Sequence, residues 1–212
     1  GLAAGGGHVA IVKLLLGKGA DVHHLCEGGM APLFVAAGGG HEAIVRLLLE
    51  HGAIMNQAMD DGATPLYIAA QQGHEEVVWL LLERGANINQ ASNIGATPLY
   101  QAAQNDHKAV VRLLLDRGAD INRANSNGTT PLYAASQNGH EAIVKLLCER
   151  GADVNRTGEF GAPLHGAAIN GHPRTVELLL RLGADAKVKD PKFNDTALEW
   201  ANTNNHPLCI AA

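Results

Sequence analysis

Seven of the eleven histidines, His8, His41, His74, His107, His140, His172 and His206, follow one another at intervals of 33, 33, 33, 33, 32 and 34 residues. Imidazole can ligate a metal, act as a base or titrate near neutral pH, so a regular row of rings raises the question of a metal rail or a set of bases. A shared ion needs several ligand atoms at about 2 Å, whereas helices packed side by side lie about 8–10 Å apart. One ring per stacked unit is therefore too widely spaced to chelate. The row is expected to be structural, each histidine hydrogen-bonding local backbone in the turn between two helices. The neighbours His23 and His24 lie in a loop and allow no more than a weak, opportunistic metal contact. His165 has no matched nucleophile or orienting acid, and Cys26, at a predicted hairpin tip, has no base beside it in the pattern. Gly38-Gly39-Gly40 lacks the Lys-Ser/Thr that follows in a phosphate-binding loop. No catalytic residue, no metal and no cofactor are expected.

The elements that carry these residues are set by the same period. Pro32, Pro65, Pro98, Pro131 and Pro163 recur at 33, 33, 33 and 32 residues, and a Gly-Ala pair recurs at Gly19, Gly52, Gly85, Gly118, Gly151 and Gly183. Markers locked together along a whole chain signal a repeat architecture. Within residues 58–90, Thr64 is placed to cap a helix whose first position is Pro65, where a missing N–H costs nothing. Leu66, Ala69 and Ala70 form its apolar face, and Gly73 ends it in the left-handed region. A second helix over 75–83 carries Val77, Val78, Leu80, Leu81 and Leu82, apolar on most sides, and Gly85 stops it. A short helix of that kind must be covered on most sides, and a unit this small cannot cover it alone. Neighbouring units must stack into a solenoid.

Composition agrees. Of 212 residues 46% are hydrophobic and 17% charged, enough to bury a core, while the eight aromatics leave that core to Leu, Ile, Val and Ala. The net charge of −5 and the lack of a basic run argue against nucleic acid, which needs a Lys/Arg footprint. The apolar stretches are too short to span a bilayer. Cys26, Cys148 and Cys209 are odd in number and lack CxxC spacing, so a reduced, intracellular setting, cytoplasmic or nuclear, is expected. Cys148 takes the place of the last Leu of a triplet and reads as a small hydrophobe.

The repeated phrase resembles the ankyrin repeat over essentially the whole chain. Gly62-Ala63-Thr64-Pro65-Leu66-Tyr67, Ala69-Ala70, Gly73-His74, Val77-Val78, Leu80-Leu81-Leu82 and Gly85-Ala86-Asn87-Ile88-Asn89 carry the likeness, with counterparts one period away. The resemblance implies an all-α repeat solenoid of helix-turn-helix units with β-hairpin-like loops. About five full repeats are expected, at 25–57, 58–90, 91–123, 124–156 and 157–188, between a partial unit at 1–24 and a partial cap at 189–212. Both ends read as incomplete units, as in a monomeric fragment of a longer protein. Three departures stand out. Asp106 occupies the glycine slot before His107, Ala162 replaces the capping Thr in a unit one residue shorter, and the last unit reads Asp195-Thr196-Ala197-Leu198-Glu199-Trp200.

In the family, partners meet the hairpin tips and the exposed face of the first helices, which line the concave side. By position these are Asp60, Asp61, Asn93, Ile94, Ser126 and Asn127 at the tips, and Gln71, Gln72, Gln104, Asn105, Gln137 and Asn138 on the helices. They form a nearly uncharged ladder of amides, each able to donate and accept hydrogen bonds. The expected function is non-catalytic binding of another protein or a peptide, the alternative being a structural or regulatory spacer in a larger protein. Asn56, Asn89, Asn122 and Asn155 match the loop asparagine that an iron- and oxoglutarate-dependent hydroxylase modifies in related proteins.

Overall fold

The computed structural model describes residues 1–210. Fourteen α-helices occur among them, arranged in pairs. The first helices of the pairs are α1 (Leu2–Gly5), α3 (Pro32–Gly38), α5 (Pro65–Gln72), α7 (Pro98–Gln104), α9 (Pro131–Gln137), α11 (Pro163–Ile169) and α13 (Ala197–Thr203). Their partners are α2 (Val9–Gly17), α4 (Glu42–Glu50), α6 (Glu75–Glu83), α8 (Lys108–Asp116), α10 (Glu141–Glu149), α12 (Pro173–Arg181) and α14 (Pro207–Ile210). First helices pack against first helices and second against second, so the chain is a two-row stack.

Each regular unit starts as its sequence dictates. The hydroxyls of Thr64, Thr97 and Thr130 accept the backbone N–H of Tyr67, Tyr100 and Tyr133 at 3.2 Å, with a proline next in each helix. The interior rows are Leu33, Leu66, Leu99, Leu132 and Leu164 on the first helices and Val45, Val78, Val111, Val144 and Val176 on the second, all buried. Paired alanines such as Ala69-Ala70 and Ala102-Ala103 are fully covered, which lets the backbones of neighbouring first helices approach closely.

The loops between pairs are narrow and closed by backbone hydrogen bonds. Met59 donates to Ala63, Ser92 to Ala96 and Asn125 to Thr129 at 2.9–3.0 Å. Among the described residues these loops form no regular strand, only isolated bridges at Gly158–Gly161 and Lys189–Thr196. They are hairpin-like in path and cross-linked in series. Asn93 donates to the Asp61 carbonyl at 2.8 Å, Ser126 to Ile94 at 2.9 Å and Glu159 to Asn127 at 2.7 Å.

The histidine row corrects the expectation of a purely local turn contact. Nε2 of His41, His74, His107, His140, His172 and His206 donates to the carbonyl of Gly5, Gly38, Gln71, Gln104, Gln137 and Ile169 at 2.9–3.0 Å. The acceptor lies 35–37 residues back, at the end of the preceding unit's first helix, where carbonyls lack helical partners. Each ring is thus a clamp between units. The glycine slot before each histidine serves this clamp as well as the turn. A Cβ on Gly73 would fall 2.4 Å from the ring of His107, and Gly73 itself sits at φ 77°.

Candidate functional site

The residues expected to meet a partner fall into two adjoining strips. Along the loops, Asp60, Asp61, Asn93, Ile94, Ser126 and Asn127 are all exposed, and the serial backbone bonds hold them at a fixed spacing. Asp61 is partly occupied, its carboxylate accepting the N–H of Ala63 at 2.9 Å, and the Asn93 side-chain amide donates to the Asp60 carbonyl at 2.9 Å. The flanking Ala63, Ala96 and Thr129, which the repeat pattern also places at the tips, are buried instead. They close the loops from beneath, against the Phe34, Tyr67 and Tyr100 cluster.

On the first helices the amides divide by role. Gln72 and Gln137 are exposed and Gln71 and Gln104 half-buried, while the main-chain carbonyls of Gln71, Gln104 and Gln137 receive the histidine clamps. Asn105 and Asn138 are exposed, but their side-chain N–H groups turn back to the carbonyls of Gln101 and Ala134 at 2.8 Å. The asparagine of each pair therefore closes its own helix, leaving its side-chain oxygen outward. Glutamine is the freer half of the ladder.

The four loop asparagines have a separate task. Oδ1 of Asn56, Asn89, Asn122 and Asn155 accepts the backbone N–H of Asn87, Asp120, Asp153 and Asp185 at 2.8–3.0 Å, each in the following unit. They are half-buried rungs of a ladder on the second-helix side, remote in the repeat from the glutamine strip.

At the far end the amide pattern gives way to an apolar hollow of about 240 Å³ lined by Ile169, Phe193, Asp195, Trp200, Thr203 and Asn204. Ile169 stands in the slot of Gln71, and Phe193 is 61% exposed. Residue pattern alone did not single out Phe193, which lies in an irregular loop; its one signal was an aromatic ring in the position of a loop tip. Beneath the hollow, Asp190 is buried and accepts N–H groups from Lys192, Phe193 and Asp195 and from the Trp200 indole at 2.7–3.1 Å. Burial works to raise its pKa, but those donors outweigh it and hold the carboxyl below the ordinary range.

His165 is also part of this end. Its Nδ1 accepts the N–H of Ala162 at 3.2 Å, which fixes the proton on Nε2, and Nε2 donates to the Asp195 carbonyl at 3.1 Å. Ala162 has no oxygen to accept the third-position N–H as Thr64 does; the imidazole makes the reverse bond, to the N–H of Ala162 itself, and it meets Trp200 edge-on at 5.7 Å. Burial lowers its pKa, against the raising effect of the Asp195 hydrogen bond and the Asp190 charge. Of the thiols, Cys26 is exposed at the base of its loop, where its N–H bonds Met30, rather than at the tip. Cys148 is pushed up to about 11, by burial first and then by Glu149.

Comparison with known proteins agrees with this geometry. The pattern described as "Ankyrin repeats (3 copies)" matches residues 1–92 and 88–158, and that described as "Ankyrin repeat" matches 162–191. The chain belongs to the ankyrin repeat family. The crystal structure of the human ASB11 ankyrin repeat domain superposes with a TM-score of 0.89 at 30% identity, over 99% of this chain and 95% of that one. No curated protein sequence matches significantly. Ankyrin repeats are generally protein–protein interaction modules, and their fold is typically non-enzymatic. No helix among the described residues is long and apolar enough to cross a membrane.

Proposed function

We propose that this array binds an extended protein or peptide segment, without catalysis and as a monomer, along its concave face of loop tips and first helices. The observation that carries the reading is the register of the two strips. Gln71, Gln104 and Gln137 repeat every 33 residues beside tips that backbone bonds tie together, so their positions are set before a partner arrives. Little ordering entropy then opposes binding. Glutamine side chains both donate and accept and suit an extended backbone, while Ile94, 60% exposed, and the hollow at Ile169, Phe193 and Trp200 suit apolar side chains. The acidic balance of the chain favours a protein over a nucleic acid, and its three free thiols suit an intracellular setting.

The test begins with a peptide selected from a displayed library against the immobilised protein. Replacing Gln71, Gln104 and Gln137 together by arginine leaves the clamped main-chain carbonyls in place. Affinity for the peptide should fall at least about tenfold, the equivalent of roughly 1.4 kcal/mol, with an unchanged helical spectrum. Unchanged affinity in a folded triple variant would sink the reading.

A further inference from the structure

On the opposite row, α2, α4, α8 and α10 repeat a cation at a position that holds Glu177 in α12. Arg46, Arg112 and Lys145 occupy equivalent positions of α4, α8 and α10, where Arg46 bonds Glu42 at 2.6 Å and Lys145 lies 3.8 Å from Glu149. In α6 that position holds Trp79. The substitution removes the cation from the helix with the most acid on it, Glu75, Glu76 and Glu83. Glu83 finds Arg117 of the next unit at 2.8 Å. Among the described residues, Glu75 and Glu76 have no cation within ion-pair distance.

Trp79 does not compensate by packing away. It is 44% exposed, and it floors a trough of about 330 Å³ whose walls are Glu42, Glu75, Glu76 and Leu113. The bland account of the two glutamates is that they complement the positive end of α6. That account explains neither an exposed indole nor its place in a row of cations. We propose that this trough docks a basic segment of a partner protein, with an arginine or lysine side chain lying on the Trp79 indole. Trp is the best aromatic acceptor of a cation and arginine its commonest partner. The incoming charge takes the place that Arg46 and Arg112 fill in the neighbouring units, and Glu75 and Glu76 pair with it. An apolar occupant would strip water from those two carboxylates and offer nothing in return. An acidic one would meet like charge.

The probe is a blocked Gly-Arg-Lys-Arg-Gly peptide titrated into the whole protein, followed by the indole N–H resonance of Trp79 in ¹⁵N–¹H spectra. The resonance is assigned by its loss in Trp79→Arg, a change to the residue that Arg46 and Arg112 already represent. The expected result is a saturable shift of that resonance. Affinity should weaken about fivefold or more in Glu75→Gln/Glu76→Gln, in line with a cation–π and ion-pair contact, and less than about twofold in Glu141→Gln/Glu149→Gln, the same charge change on α10. A Trp79 resonance that does not move overturns the proposal. So does equal weakening by the two double variants, which would mean diffuse attraction to an acidic protein.

Discussion

The central units and the C-terminal end differ in how they complete the same architecture. In the centre, Thr64, Thr97 and Thr130 cap the first helices, glycine occupies the left-handed slot at Gly73 and Gly139, and His107 and His140 clamp unit to unit. At the C-terminal end Ala162 has no capping oxygen, and His165 reaches back from the third position of α11 to accept the N–H of Ala162 itself. The final pair is held by Thr196 and Glu199, which exchange hydrogen bonds at the start of α13, and by Asp190 beneath Trp200. The centre distributes its stability over many identical small contacts. The end concentrates it in one buried carboxylate and one buried imidazole.

That contrast is breakable at four points. The largest effect is expected for Asp190→Ala, which leaves three backbone N–H groups and the indole N–H without their acceptor. The cost should be on the order of 3 kcal/mol, read as loss of hydrogen-exchange protection over α12–α14 while α5–α10 keep theirs. Uniform loss across the chain would show that the end is not a separate cooperative unit. Next comes His107→Ala, which removes one clamp and opens the space over Gly73; about 1–2 kcal/mol should be lost in urea unfolding. A loss as large as that of Asp190→Ala would deny that the centre shares its load.

Acid should distinguish the two regions. The folded pKa of His165 is depressed, so below the unfolded value of 6.5 the unfolded chain binds the proton more readily. Stability from this group is present above pH 6.5 and falls as the pH is lowered through and beneath it. Protection in α11 and α13 should therefore decline as the pH falls below 6.5 before that of α5 and α7, and a His165→Phe variant should lose this pH dependence. The smallest change is a gain. Asp106 sits at φ 62°, where glycine stands in neighbouring units, and its carboxylate lies 3.7 Å from Nδ1 of His140. Asp106→Gly should raise stability by about 0.5–1 kcal/mol, measured as a higher Tm; a lower Tm would mean that the pair with His140 outweighs the backbone strain.

Much of this was legible in the residues. Thr64-Pro65 and Gly73 mark helix ends through local sterics and a local hydrogen bond, so they read correctly without knowledge of the fold, whereas the partner of His74 did not. The strain at Asp106 was readable for the same reason. The division of labour inside Gln104-Asn105 was not, because both side chains are amides and only the turn of the chain decides which can reach the carbonyl of Gln101. Nor was the apolar hollow at Phe193, since its walls come from α11, α13 and an irregular loop. Trp79 was visible as a letter, but its exposure depended on how α4, α6 and α8 lie together.

The sequence by itself determined the unit, its two helices, their caps and the necessity of stacking, because a 33-residue period and the local preferences of Thr, Pro and Gly act within one repeat. Only the tertiary structure decided what the repeated polar side chains bond to. The histidine imidazole reaches a carbonyl 36 residues back and the loop asparagine an amide 31 residues ahead. Those partners depend on the offset between stacked units, which side-chain packing sets and no single repeat contains.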